Sequence, residues 1–446
     1  MNRAKISKAG FVVSLMIFSL LYGVYSGISE TFPYPSLMQA YQAALNIAQR
    51  FAPEKNLYFK KTDYTDNVPR HKPDLTDDGL TLMTCIEQDR IPTVKVINMK
   101  GETVHCWKLS WFELWPNASH IPQEDLPKFK PGTHVHGCVL MGNGDLIFNF
   151  EHLGLVRVDV CGRVVWKLPY RTHHSVFLDK TGNLWVSGQI NYYTKVPGFH
   201  CFNPTAQEPT IEPTVLKVSP QGEILSEIRI FELLKENNLS GLLVLSTLDN
   251  DRTRVTGDVL HLNDVKVFEG ADKAGFFKKG DIAISLRNIN AVFVFDPDTR
   301  KIKYKSIGNV VRQHDPDFVD ANTISVFDNN NIALDKKSNQ SRIVMLSPLA
   351  AEDRVYYQGT TDDPFFTHIM GKHQWLKNGN LLVTESMKGR VFEIDRNGDI
   401  VWEFINIIDD GYVGIVEEAT RLSSEYTHAF FEQLSEKCDQ SKSIQD

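Results

Sequence analysis

The sequence predicts an all-β chain, a six-bladed β-propeller preceded by an N-terminal membrane helix and followed by a helical C-terminal segment. Three observations carry this. A unit of four short strands recurs along the chain. Aromatic residues make up 11% of it, with 26 Phe and 14 Tyr, which suits strands better than helices. Histidine also returns at the start of the first strand of successive units, as a propeller would require of residues gathered at one mouth of its channel.

At 446 residues the chain is long for one ordinary domain, but repeat architectures grow past that size without dividing. The composition, 42% hydrophobic and 23% charged, is that of a globular protein. A formal net charge of −7 gives no general attraction to nucleic acid, so a nucleic-acid partner is set aside.

The N-terminus carries one targeting signal. Arg3, Lys5 and Lys8 precede an apolar run from Phe11 to Gly27. The run is at the short end for a spanning helix and slightly long for a signal-peptide core. No clean small-x-small cleavage site follows, although Ser26-Gly27-Ile28-Ser29 offers one, so residues 1–30 read as an uncleaved signal-anchor in preference to a cleaved signal. The basic flank then stays in the cytoplasm and the rest lies on the extracytoplasmic, periplasm-like side. Six cysteines (85, 106, 138, 161, 201 and 438) are compatible with an oxidising compartment. They lack the Cys-x-x-Cys spacing of a structural zinc site. Cys85 with Cys106, or Cys138 with Cys161, could pair across neighbouring strands, and the connectivity stays open.

Residues 31–78 read as a helix and a connector: Leu37, Tyr41, Ala44, Leu45 and Ile47 recur at helical spacing, and Pro69 and Pro73 mark an extended stretch. The repeat begins at Gly79. Its clearest copy runs from His136 through the turn Gly142-Asn143-Gly144-Asp145, then Gly154 to Asp159, then Gly162 to Trp166. A second starts at His174 and turns at Gly182-Asn183, and a late one turns at Asn378-Gly379-Asn380, then runs from Gly389 to Asp395 and from Gly398 to Trp402. Gly and Asn accept positive φ cheaply, which is what a two-residue hairpin needs. Counting units gives blades at about 79–110, 133–169, 171–231, 258–306, 312–358 and 371–405 within a propeller domain of 79–410. Phe231 to Glu236 reads as a short helix between blades. Residues 411–446 read as a helical cap, from Val413 through Glu432, with a polar tail.

His136, His174, His261 and His314 hold the opening position of their units, and His373 lies close to it. Singly, such histidines are as well read as polar fillers of a narrow tunnel. Together with Asn263 and Arg287 they read better as a site. Several imidazoles and one guanidinium suit a tetrahedral oxyanion such as sulfate or phosphate. A neutral imidazole supplies a nucleophile, and charged neighbours steady a leaving oxygen. Other features have plainer readings. Asp315, Asp317, Asp320 and Asp328 lack calcium-loop spacing and read as turn formers. Asn117-Ala118-Ser119 and Asn238-Leu239-Ser240 fit the glycosylation pattern, which arises often by chance.

The motifs His261-Leu262-Asn263-Asp264, Ser285-Leu286-Arg287 and Gln313-His314-Asp315-Pro316, with the closing run Asn378 to Asp395, resemble the arylsulfotransferase family of the bacterial periplasm. The resemblance spans about 80–430. It implies a six-bladed propeller that moves sulfuryl groups from an aryl sulfate donor to a phenolic acceptor without a nucleotide, a cofactor or a metal. It implies His314 as a transiently sulfurylated nucleophile, with His261, Asn263 and Arg287 holding sulfuryl oxygens. His174 would act with them as acid or base, and His136, His173 and His373 would stand on the substrate-binding side. A membrane-tethered, non-catalytic propeller that binds an anion or a metal in its His-lined channel is the alternative. A metal-dependent hydrolase is the third reading, and homo-oligomerisation stays open.

Overall fold

A computed structural model describes residues 3–29, 31–34, 36–37, 40, 58–206, 208–245, 255–270, 275–333, 339–409 and 411–442. The chain divides into two compact units, 1–60 and 61–446. In the first, Arg3–Ser29 forms one helix whose stretch Gly10–Ser29 is long and apolar enough to cross a membrane, as an anchor or a signal sequence. Most of the helix expected from Phe32 to Arg50 falls outside the described residues.

The second unit is built from antiparallel sheets, and among its described residues six of them have four or five strands. In chain order their strands are as follows. The first sheet holds Thr81–Ile86, Pro92–Ile97 and Thr103–Lys108, with Val416–Arg421 joining its inner edge. The second holds Val135–Leu140, Leu146–Phe150, Gly154–Val158 and Val164–Leu168. The third holds Thr172–Leu178, Leu184–Tyr192, Thr210–Val218 and Ile224–Arg229. The fourth holds Leu262–Val267, Ile282–Leu286, Ala291–Phe295 and Ile302–Ile307. The fifth holds His314–Asp320, Thr323–Asp328, Arg342–Leu346 and Arg354–Gln358. The sixth holds Lys372–Trp375, Leu381–Glu385, Arg390–Ile394 and Ile400–Ile405, edged by the short strand Arg70–His71 of the connector. The innermost strand of each sheet contacts that of the next, and the sixth meets the first, so the contacts close a ring.

The middle strands read as continuous apolar runs because both of their faces are covered. Each neighbouring pair of sheets is joined by its own apolar cluster. Ile282, Ile284, Leu286, Phe293 and Phe295 pack with Trp185 and Val215 of the third sheet. Their alternates Ala283, Val292 and Val294 pack with Ile324, Val326 and Val344 of the fifth. Period-two alternation therefore feeds two interfaces at once. Where innermost strands run closest, Gly137 is required: a Cβ there would stand 1.9 Å from the His174 carbonyl oxygen.

Two expectations are corrected. The stretch read as helical from Val413 is strand through Arg421, and helix begins only at His428, running to Lys442. Glu417, Glu418 and Ala419 favour a helix locally, but pairing with Thr81–Ile86 overrides that preference. The suggested cysteine pairs do not form, and Cys161 is bonded to Cys438 instead. The strand Pro92–Ile97 separates Cys85 from Cys106. Cys138 lies on the innermost strand of the second sheet, whereas Cys161 sits in an outer turn. That turn is where the C-terminal helix lies, with Phe431 buried in the cluster between the first two sheets.

Candidate active site

The innermost strands of the second to fifth sheets share an irregularity. Their pairing slips between Val135 and Cys138, His173 and Val176, Leu262 and Asp264, and His314 and Asp317. A bulge breaks the alternation and re-aims the side chains beside it. His174, His261 and Asp315 accordingly have φ of 54°, 54° and 50°, a region that non-glycine residues occupy only under constraint.

These bulges bring the imidazoles together. The ring of His174 lies 4.2 Å from that of His136, 5.0 Å from that of His261 and 6.5 Å from that of His314. His173 stands behind, its Nδ1 2.8 Å from Nδ1 of His174. His136, His173, His174 and His314 are buried, and His261 is partly so. Burial holds His174 and His314 well below the usual histidine range, with Arg287 adding to the effect at His314. Burial likewise lowers His261 and takes His173 down to about 3. These four rings are therefore neutral at physiological pH.

Neutral imidazoles in contact constrain one another, since each has one donor and one acceptor. Asp258 accepts from the backbone N–H of His261 at 2.8 Å and also contacts its Nδ1. Burial would raise Asp258, but its hydrogen bonds with His261 hold it below the ordinary carboxylate range. Nδ1 of His261 is then the donor and its Nε2 an acceptor. Nε2 of His174 lies 3.3 Å away, and Nδ1 of His174 lies 2.8 Å from Nδ1 of His173 and 3.3 Å from a Glu151 carboxylate oxygen. Asp258 thus fixes the His261 proton on Nδ1, at one end of a line of three rings.

The sequence reading missed Asp258, and with it Glu151, His152 and Asn329. Glu151 lies at the centre: its carboxylate is 3.2 Å from Nδ1 of His136 and 3.1 Å from Nε2 of His152, and it accepts from the His174 backbone N–H at 3.1 Å. Burial would push Glu151 up, yet the surrounding imidazoles hold it well below the ordinary carboxylate range. Burial would lower His152, yet Glu151 beside it raises it. The charge in this cluster resides on Glu151 and His152. Asn329 follows the second strand of the fifth sheet, and its Oδ1 is 2.7 Å from Nδ1 of His314. A signal existed for Asp258, which precedes His261 by one helical turn's worth of residues. Asn329 carried none, being one of three consecutive asparagines.

Arg287 begins a short helical turn, Arg287–Ile289, whose backbone N–H donates to the His261 carbonyl. Burial and the nearby Arg312 lower it to about 10, so it stays a cation. Asn263 donates from Nδ2 to the Gln313 carbonyl at 2.7 Å, which keeps one N–H for another acceptor. His373 is not brought to the other histidines. Its strand pairs with no bulge, and the ring turns away to Ser325 Oγ at 2.7 Å and Asp315 at 2.9 Å.

Two clefts meet at Asp258. One of about 430 Å³ is lined by Arg171, Glu151, His152, Gln189 and Asn191. The other, of about 340 Å³, is lined by Leu242, Val259, Ile289, Asn288 and Arg312. Among the described residues, two groups could hold a cation: His134, His136 and Glu151, and Asp315, Asp317 and His373. The second is already occupied, with Lys266 Nζ 2.9 Å from Asp317 and Lys372 Nζ 3.2 Å from Asp315.

A family model described as arylsulfotransferase (ASST) matches residues 137–407. No curated protein matches the chain. Among solved structures, a protein of unknown function from Bacteroides caccae is 14% identical, covering 76% of this chain and 99% of its own, with a TM-score of 0.46. A virginiamycin B lyase from Staphylococcus aureus is 12% identical over 61% of this chain and 69% of its own, at a TM-score of 0.33. A streptogramin B lyase is 11% identical over 82% of this chain and 98% of its own, at 0.40. At these scores nothing about this chain follows from the three.

Proposed function

The chain belongs to the arylsulfotransferase family, and from that premise we propose that it transfers a sulfuryl group from an aryl sulfate ester to a phenol through His314, without a nucleotide. The observation that carries this is the placement of a buried, neutral His314 beside His174 and within the field of Arg287. Nε2 of His314 forms a bond to sulfur as the ester S–O bond breaks, and the aryloxide leaves. The incoming phenol then forms a new S–O bond while S–N breaks, and its proton passes to the His174–His261 pair, whose charge Asp258 steadies. The sulfuryl oxygens keep their negative charge throughout. Arg287 and the remaining N–H of Asn263 are the groups suited to hold them. The apolar wall of Leu242, Val259 and Ile289 suits the aryl ring.

The six larger sheets are read as the six blades of a propeller. Its first blade is completed by Val416–Arg421, so the domain extends from about 79 to 421 rather than to 410. The N-terminal helix is read as an anchor that leaves the propeller on the extracytoplasmic side. The Cys161–Cys438 disulfide supports that side, because such bonds persist in oxidising compartments.

The test is release of nitrophenol from p-nitrophenyl sulfate, measured with and without a second phenol. Transfer predicts faster release with the acceptor and a sulfated acceptor as product. Release that ignores the acceptor would mean hydrolysis. A second reading, a cation-binding propeller, is favoured by His134, His136 and Glu151, whose ligand atoms lie within 4.8 Å of one another. A stoichiometric divalent metal in the purified protein, with no transfer, would support it.

A further inference from the structure

We propose that Asn329 is the positioning residue that selects the reactive tautomer of His314; this rests on His314 being the nucleophile. An imidazole attacks through a ring nitrogen that carries no proton, and only one of the two can be that nitrogen in the neutral ring. An asparagine amide can ordinarily face a histidine either way round, so a single Asn–His contact does not fix the proton. Here the amide is fixed from its other end. Nδ2 of Asn329 is 3.0 Å from the Thr367 carbonyl and 2.8 Å from the Met370 carbonyl, and both of those atoms can only accept. Both N–H bonds are thereby used and Oδ1 must face His314, 2.7 Å from Nδ1. Nδ1 of His314 is therefore the donor, and Nε2 keeps its lone pair.

The anchoring is stiff. Asn329 is fully buried, as are Thr367, Ser341 and Met370 around it. Ser341 Oγ also reaches the Thr367 carbonyl and the Asn329 carbonyl at 3.3 Å each. Met370 is held at φ 62° and Gly371 at 107°, so the loop that presents these carbonyls is a constrained turn. On the other side His314 faces Arg287, His136, His261 and His174, none of which is an anion. Within these surroundings Asn329 is the neutral acceptor that orients the ring without adding the basicity a carboxylate would bring.

The experiment has two arms. In the wild-type protein labelled with ¹⁵N-histidine, the His314 resonances are identified by their loss in His314→Gln. The expected tautomer carries its proton on Nδ1; a proton on Nε2 would overturn the proposal with no variant needed. The second arm compares Asn329→Leu with Asn329→Asp in pre-steady-state release of nitrophenol from p-nitrophenyl sulfate. Loss of the acceptor in Asn329→Leu should slow sulfuryl transfer to the enzyme by ~10²–10⁴-fold with little change in donor KM, as when the tautomer-setting partner of a catalytic imidazole is removed. Asn329→Asp restores an acceptor, so it should recover part of that rate and move the acid limb of the pH–rate profile upward. A folded Asn329→Leu protein within about threefold of wild type, or an unshifted profile in Asn329→Asp, would overturn the role. A wild-type rate in His314→Gln would instead remove the reading on which the proposal rests.

Discussion

Two polar layers line the innermost strands, and they differ in what their charges are doing. In the histidine layer His173, His174, His261 and His314 are neutral and stand in a line of contacts, with charge kept at the edges on Asp258, Arg287 and the Glu151–His152 pair. In the second layer every cation is matched. Lys372 lies between Asp264 and Asp315, and Lys266 pairs with Asp317. Burial would lower Lys372 and Lys266, yet these carboxylates raise both. The strands are the same, and so is the residue chemistry at their starts. A bulge is present where His136, His174 and His314 turn inward and absent at His373; at Asp264 and Asp315 the same bulges serve the second layer. The first layer has unsatisfied chemical capacity, while the second holds neighbouring sheets together.

Paired alanine substitutions break this comparison most sharply. His174→Ala should lower turnover by ~10²–10⁴-fold, the range of lost acid–base catalysis, with a modest change in melting temperature. His373→Ala should leave turnover near wild type while destabilising the fold by ~1–3 kcal/mol, because Ser325 and Asp315 lose a buried partner. Equal losses of activity at both positions would erase the distinction. Next in size is Lys372→Met, which takes the paired cation from Asp264 and leaves Asp315 with only the more distant Lys266, 3.6 Å away. It should cost about 3–5 kcal/mol in denaturant unfolding, with kcat of the folded fraction unchanged.

A pH experiment sharpens the second layer further. Glu418 is enclosed at its edge, and burial, partly offset by Lys372 and Lys266, raises its pKa from 4.5 to about 7. The folded state therefore binds a proton more tightly than the unfolded chain does. That contribution to stability is fully present below about pH 4.5 and is lost as pH rises through about 7. Unfolding curves from pH 4.5 to 8 should show a decline of up to about 3 kcal/mol that Glu418→Gln removes. An effect on stability alone is expected at the C-terminus. Cys438→Ser should reduce stability by ~2–4 kcal/mol and leave transfer rates unchanged, since the helix it tethers lies against the outer edge of the first two sheets.

The repeat was legible because Asn-Gly or Gly-Asn turns between apolar runs recur in several units, and the short helix from Ile230 to Glu236 was legible from its local pattern. The strand Val416–Arg421 was not: its partner Thr81–Ile86 lies more than 300 residues away, and no local signal competes with Glu-Glu-Ala. The same distance hid the Cys161–Cys438 bond, whose cysteines are 277 residues apart. The histidines that open each strand could be listed from sequence, but their destination could not. His373 lacks the bulge that His174 has, and a bulge depends on pairing register. Glu151 and Asn329 follow second strands rather than opening first ones, so repetition does not mark them.

The central claim, that His314 carries the sulfuryl group, is tested most directly by quenching the protein after mixing with p-nitrophenyl sulfate in the absence of acceptor. Peptide mass spectrometry under conditions that preserve the S–N bond should find one added sulfuryl group on the peptide containing His314. Adding a phenol before the quench should remove it, and His314→Asn should never acquire it. A sulfurylated peptide elsewhere in the chain, or full nitrophenol release by His314→Asn, would contradict the account.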